Sequence, residues 1–160
     1  MALPASRQDP CILPLADADA STAFAARLAA HVTAPCTLLL SGEIGAGKSH
    51  LARALMRALG VTDRDIPSPT FTLVQTYDSP AGPVWHSDLY RLSSVDEAEE
   101  LGLFEAFETA ICLVEWPDRL DGEAPADALW LHLEPAGSGR RLTLTGDAAR
   151  WGGLCDTLAG

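Results

Sequence analysis

The segment Gly42-Glu43-Ile44-Gly45-Ala46-Gly47-Lys48-Ser49 decides how this chain of 160 residues is read. It satisfies G-x-x-x-x-G-K-[ST] in full, at Gly42, Gly47, Lys48 and Ser49, with a further glycine at Gly45. Each residue type has a physical task. Glycines permit backbone turns closed to other residues and let N–H groups approach phosphate oxygens, Lys48 supplies positive charge to the β and γ phosphates, and the Ser49 hydroxyl suits a magnesium ion. By chance the required positions would coincide in a chain of this length on the order of once in a hundred. Their surroundings strengthen the reading. Before the segment, Pro35-Cys36-Thr37-Leu38-Leu39-Leu40 is a short apolar run of the kind buried on both faces of a sheet. After it, Leu51, Leu55 and Leu59 recur at helical spacing to Gly60, so a helix is expected from Lys48 to about Leu59, presenting its positive dipole end to an anion.

Outward from this centre, the order of elements predicts an α/β fold of the P-loop type. One domain over 1–160 is expected, with a mixed sheet flanked by helices and residues 1–11 as a loose tail. Asp19 or Ser21 is placed to cap an alanine-rich helix running to about Ala30. Phe71 to Tyr77 and Val84 to His86 read as a hairpin around Asp78-Ser79-Pro80-Ala81-Gly82-Pro83. Ser94 and Glu97 have capping-box spacing and open a short helix toward Leu101. Thr109 to Trp116 is a second buried strand, stopped by Pro117. Asp121 to Asp127 is linker-like; Ala128 to Glu134 and Arg141 to Thr145 suggest another hairpin, and Trp151 to Leu158 a last helix.

Charge and cysteine content narrow the class. With 22 acidic against 11 basic side chains the formal charge is −11, which opposes direct binding of a polyanion, so a role in nucleic-acid chemistry is expected to pass through partners. No apolar run approaches the roughly 18 residues a membrane helix needs, and a soluble, cytoplasmic protein is expected. The four cysteines, Cys11, Cys36, Cys112 and Cys155, show no metal-ligand spacing and are expected to be reduced, buried thiols.

Hydrolysis needs acidic groups near the metal and a means of orienting water. Glu115 and Asp88 each end an apolar segment and are the candidates. His86 shares a strand face with Asp88, but one histidine and one carboxylate are too few for zinc, and His86 reads as a positioning or packing residue. The chain contains no asparagine, hence no N-K-x-D guanine-reading motif, and ATP is the expected nucleotide. A small-molecule kinase and a non-enzymatic nucleotide-gated binder stay open. For the kinase, only Arg140 and Arg141 resemble the arginines of a phosphate-clamping lid.

Four segments in order, GEIGAGKS (42–49), SPTFTLVQTY (68–77), HSDLYRL (86–92) and ICLVEWPDR (111–119), resemble the TsaE (YjeE) ATPases of bacterial tRNA threonylcarbamoyladenosine synthesis. The likeness covers roughly residues 12 to 134. It implies an ATP- and Mg2+-dependent ATPase that acts on a complex of TsaB and TsaD and meets tRNA only through them. It also implies nucleotide contacts from Gly42, Gly45, Ala46, Gly47, Lys48, Ser49 and His50, with Trp116 as a wall of the site and Thr22 near the adenine. Thr70 becomes the switch-like threonine near the γ phosphate. Ser49, Asp88 and Glu115 become the groups at magnesium and water, with the division between the two carboxylates left open. His50 stands where the family usually has a threonine or a close equivalent.

Overall fold

A computed structural model describes residues 10–159. The order of elements is β1 (Cys11–Leu15), α1 (Ala18–Ala29), β2 (Cys36–Ser41), α2 (Lys48–Leu59), β3 (Val74–Tyr77), β4 (Val84–Asp88), α3 (Val95–Glu100), α4 (Leu103–Thr109) and β5 (Ile111–Glu115). A 3-10 turn at Pro117–Leu120, β6 (Leu129–Ala136), β7 (Gly139–Thr145), α5 (Ala148–Trp151) and α6 (Leu154–Ala159) complete it. The strands form one mixed sheet in the order β1-β7-β6-β2-β5-β4-β3. β4, β5, β2 and β6 run parallel, and β1, β7 and β3 are antiparallel to their neighbours. This is the α/β sheet that the sequence predicts.

Alternation along β2 divides the interior. Leu38 and Leu40 enter a core shared with Phe24, Leu28, Leu51, Leu55 and Met56 of α1 and α2, whereas Leu39 enters a second core with Leu103, Ala106 and Leu120. Both faces of the central strands are therefore covered by helices, which is why β2 and β5 are continuous apolar runs. On α2, Leu51, Leu55 and Leu59 are buried as expected, and Gly60 closes the helix at φ 101°.

Several expected boundaries shift. Residues 1–9 of the expected tail lie outside the described residues, but Cys11 already belongs to β1, which pairs with β7 at the sheet edge. Pro14 is tolerated there because an edge strand can do without one N–H. The cap of α1 is Asp17 rather than Asp19 or Ser21: its carboxylate accepts from the Ala20 N–H at 2.8 Å, while Ser21 is buried within the helix. β3 begins at Val74 rather than Phe71, because Leu73 adopts φ 66° and Phe71 is 83% exposed. The side chain of Ser94 makes no cap bond, and Glu97 takes the Ser93 N–H instead. The expected last helix is broken at Gly152 and Gly153 into α5 and α6.

The cysteine expectation needs one correction. Cys36 and Cys112 are free and buried, and burial pushes their thiols up to about 11 and about 12. Cys11 and Cys155, however, form a disulfide. The fold brings β1 and α6 together across 144 residues and leaves a Cα–Cα separation of 5.7 Å, within bonding reach, which spacing in the sequence does not reveal.

Candidate nucleotide-binding site

In an open sheet with parallel central strands, ligands bind beyond the carboxyl ends of those strands. Here β2 ends at Ser41 and passes into the glycine-rich loop, while β4 and β5 end side by side at Asp88 and Glu115, which are partners in register. A cleft of about 430 Å³ opens there, lined by Gly45, Gly47, Lys48, Ser49, His50, Thr70, Asp88, Glu115 and Trp116. Lys48, Asp88 and Glu115 are 5%, 6% and 2% exposed, so three ionisable groups converge out of water. Such convergence is uncommon unless the groups are paired or serve a ligand.

Lys48 is satisfied for now by the loop itself. Its Nζ donates to the carbonyls of Gly42 at 2.6 Å and Glu43 at 2.8 Å, and lies 4.2 Å from the ring centre of Trp116. Burial lowers its pKa, opposed by the nearby carboxylates of Glu115, Asp88 and Asp118. Trp116 follows β5 in the left-handed conformation at φ 60°, sparsely populated for a residue with a side chain, and packs on Tyr90 with ring centres 4.9 Å apart. Its backbone turn sets the indole as one wall of the cleft.

Glu115 is held at both oxygens. Ser49 donates its hydroxyl to Oε1 at 2.9 Å, and His86 Nε2 donates to Oε2 at 2.6 Å from a fully buried ring. A carboxylate only accepts, so His86 carries its proton on Nε2; its buried Nδ1 has no partner. Asp88 accepts from the Thr70 hydroxyl at 3.3 Å and from the Tyr90 N–H at 3.1 Å, and Ser68 lies 3.0 Å from Thr70. Thr70, Asp88, Glu115 and Ser49 thus share one wall.

The remaining expected residues take different positions. Gly42 is glycine because a Cβ there would sit 2.5 Å from the Leu133 carbonyl oxygen on β6. Ala46 packs into the core, and its N–H is engaged with the Glu43 carbonyl at 3.0 Å. Thr22 is exposed on α1, donates to the Ala18 carbonyl of its own helix, and lines neither this cleft nor the adjacent cavity of about 230 Å³. That cavity is bounded instead by Asp17, Ser21, His50, Leu133 and Arg140.

Arg140 is the site residue that sequence reasoning missed as a contact. Expected at most as a lid arginine, it donates Nε to the Ala46 carbonyl at 2.9 Å and Nη2 to the Gly45 carbonyl at 3.1 Å. No local motif reports this, because only the sheet order brings β7 behind the loop. Arg141 points elsewhere, to Glu134 at 2.7 Å.

The residues fit a magnesium nucleotide. No side chain caps the N-terminus of α2, and its N-cap Gly47 stands at φ 101°, which leaves the first-turn N–H groups of the helix free of any side-chain acceptor. The oxygens of Ser49, Glu115 and Asp88 form a hard donor set of the kind Mg2+ takes alongside retained waters. Among the described residues no group of three histidine, cysteine or acidic residues is placed to hold a metal ion by itself, so a magnesium ion here would take the rest of its shell from phosphate and water.

Comparison with known proteins agrees with this geometry. The sequence model of the threonylcarbamoyl adenosine biosynthesis protein TsaE family matches residues 15–142. The tRNA threonylcarbamoyladenosine biosynthesis protein TsaE of Bacillus subtilis is 36% identical, over 84% of this chain and 85% of its own. The protein of the same name from Streptomyces coelicolor is 37% identical, over 78% of this chain and 89% of its own. The crystal structure of Bacillus subtilis YdiB superposes with a TM-score of 0.76 at 26% identity, covering 94% of this chain and 95% of that one. With the phosphate loop, the paired strand-end carboxylates and the sheet all in place, this chain belongs to the TsaE family.

Proposed function

We propose that this protein is a magnesium-dependent ATPase that supports formation of threonylcarbamoyladenosine in tRNA, acting in the cytoplasm with TsaB and TsaD. The observation that carries the ATPase reading is the Ser49–Glu115 hydrogen bond beside the buried Lys48, at the uncapped start of α2. The relatives' shared name supports the pathway. A formal charge of −11 supports contact with tRNA through partners rather than directly. Among the described residues, no helix is long and apolar enough to cross a membrane.

Bound Mg–ATP supplies a polarised terminal phosphoryl group for transfer to water. Lys48 exchanges its two backbone carbonyls for phosphate oxygens and keeps its charge against the Trp116 face. Ser49 and Glu115 would hold the magnesium ion, with the Glu115 carboxylate kept in place by the bond from His86 to its other oxygen. Asp88, with Thr70 hydrogen-bonded to it, would orient the attacking water or help to hold the metal. Trp116 and Tyr90 limit access of bulk solvent on one side.

Phosphate release from ATP, measured with and without Mg2+ for the wild type and Lys48→Ala, tests the reading. Magnesium-dependent release by the wild type and its loss in Lys48→Ala are expected. Equal release by the two proteins contradicts the site. Transfer of the phosphoryl group to an added metabolite favours a kinase, and ATP binding without release favours a nucleotide-gated binder.

A further inference from the structure

We infer that Arg140 is a positioning residue that presets the phosphate loop through its carbonyls, so that the β6–β7 hairpin sets nucleotide affinity through the shape of the loop. The inference rests on the nucleotide-binding reading above.

The guanidinium forks across three carbonyls. Nε donates to Ala46 and Nη2 to Gly45, both in the loop, and Nη1 donates to Gly139 in its own strand at 3.0 Å. A guanidinium has five donors in a rigid plane and no acceptor, so it can fix two consecutive peptide units at once, which a lysine ammonium cannot do with the same geometry.

The consequence follows from peptide planarity. In a trans peptide the carbonyl and the next N–H point in opposite directions. Holding the Ala46 carbonyl toward β7 therefore turns the Gly47 N–H away from Arg140. Lys48 and Gly47 line the cleft, Gly47 bordering the Arg140 cavity as well. The positive charge behind these carbonyls also polarises the peptide units and raises the potential offered to an anion.

The arm itself is rigidly mounted. Arg140 pairs across β7 with Leu15 on one side and Pro135 on the other. The preceding Gly139 is packed so closely that a Cβ would lie 2.5 Å from the Leu15 carbonyl oxygen and 2.8 Å from that of Ala16. Gly45 and Gly47, by contrast, are open loop positions at φ 84° and 101° with no backbone or apolar neighbour against them. A loop of flexible residues is thus braced by a charged side chain on an inner strand, and ordering it before the ligand arrives lowers the entropy lost on binding.

Arg141 supplies the control. It sits one residue away on the same strand with the same charge, but pairs with Glu134 at the surface. Calorimetric titration with Mg–ADP and steady-state ATP hydrolysis are compared for the wild type, Arg140→Ala, Arg140→Lys, Arg140→Gln and Arg141→Ala. Loss of two charge-assisted bonds to the loop should raise Kd and KM about tenfold in Arg140→Ala while kcat falls less than about threefold, with Arg140→Lys in between. Arg140→Gln keeps a neutral donor and serves if the alanine variant does not fold; its Kd should also rise severalfold. Arg141→Ala should match the wild type.

Equal effects of Arg140→Ala and Arg141→Ala would reduce the contact to general electrostatics and overturn the inference. A fall in kcat with Kd unchanged would also overturn it, by placing Arg140 in the chemistry. If the wild type binds Mg–ADP and every Arg140 variant binds equally well, the inference alone fails. If the wild type does not bind, the nucleotide reading fails and takes this inference with it.

Discussion

Replacing His86 tests whether Glu115 is a positioned carboxylate or merely a buried one. His86 is fully buried and its Nε2 lies 2.6 Å from Glu115 Oε2, itself in a residue only 2% exposed. In His86→Ala the carboxylate loses a hydrogen bond of the charged class, about 1.5–3 kcal/mol. The vacated ring adds a cavity cost of about 1–2 kcal/mol. The sum is about 2.5–5 kcal/mol, which for a chain of this size corresponds to a fall of roughly 5–20 °C in melting temperature. His86→Gln retains a side-chain N–H donor and most of the volume, so it should recover about 1.5–3 kcal/mol relative to alanine. Urea unfolding without nucleotide, followed by circular dichroism, measures all three proteins on one scale. The assay has a functional arm as well: His86→Ala should raise the magnesium concentration needed for half-maximal ATP hydrolysis, and His86→Gln should restore it in part. If the alanine and glutamine variants are equally stable within about 0.5 kcal/mol, the bond to Glu115 contributes nothing and Glu115 is merely buried.

Two other perturbations are informative. Glu115→Ala should lower magnesium-dependent turnover at least about a hundredfold while changing the Kd for ADP without magnesium less than about threefold; equal losses in both measurements would mark a structural carboxylate. Thiol titration should find no reactive cysteine in the native oxidised protein, two after denaturation and four after denaturation with reduction, as expected for buried Cys36 and Cys112 beside the Cys11–Cys155 disulfide. The same two thiols make stability fall with alkali. From their ordinary value of 9.0 up to about 11 and about 12, the folded chain keeps protons that the unfolded chain has released, so their contribution is complete below pH 9 and lost as pH rises through that range. A Cys36→Ala/Cys112→Ala variant should show a flatter alkaline limb in urea unfolding, and an unchanged limb would assign the effect to other groups.

The fold was most legible where several local signals agreed. The apolar run of β2, the glycines of the loop and the leucine spacing of α2 each specify conformation within a dozen residues, and the structure places all three together. Asp88 and Glu115 were readable because a carboxylate ending a buried strand is conspicuous in sequence. Signals that depend on tertiary pairing were not readable. β1 contains Pro14 and gains its strand geometry only from β7, and α4 buries just Leu103 and Ala106, too few for a clear period. The Cys11–Cys155 disulfide and the reach of Arg140 to the Gly45 and Ala46 carbonyls join segments 144 and about 95 residues apart. His86 illustrates the intermediate case: its face on the strand was legible, but its partner Glu115 lies on the neighbouring strand and required the sheet order.

The most direct test of the central claim is reconstituted tRNA modification with purified TsaB and TsaD, the threonylcarbamoyl donor system, tRNA and ATP. Yield over many turnovers is compared with no addition, with this protein, and with Lys48→Ala. Only the wild type should sustain modification beyond the first rounds, because Lys48 is the charge that the phosphates require. Equal yields in all three reactions, with ATP still hydrolysed by the wild type, would contradict the pathway assignment and leave a P-loop ATPase of another purpose.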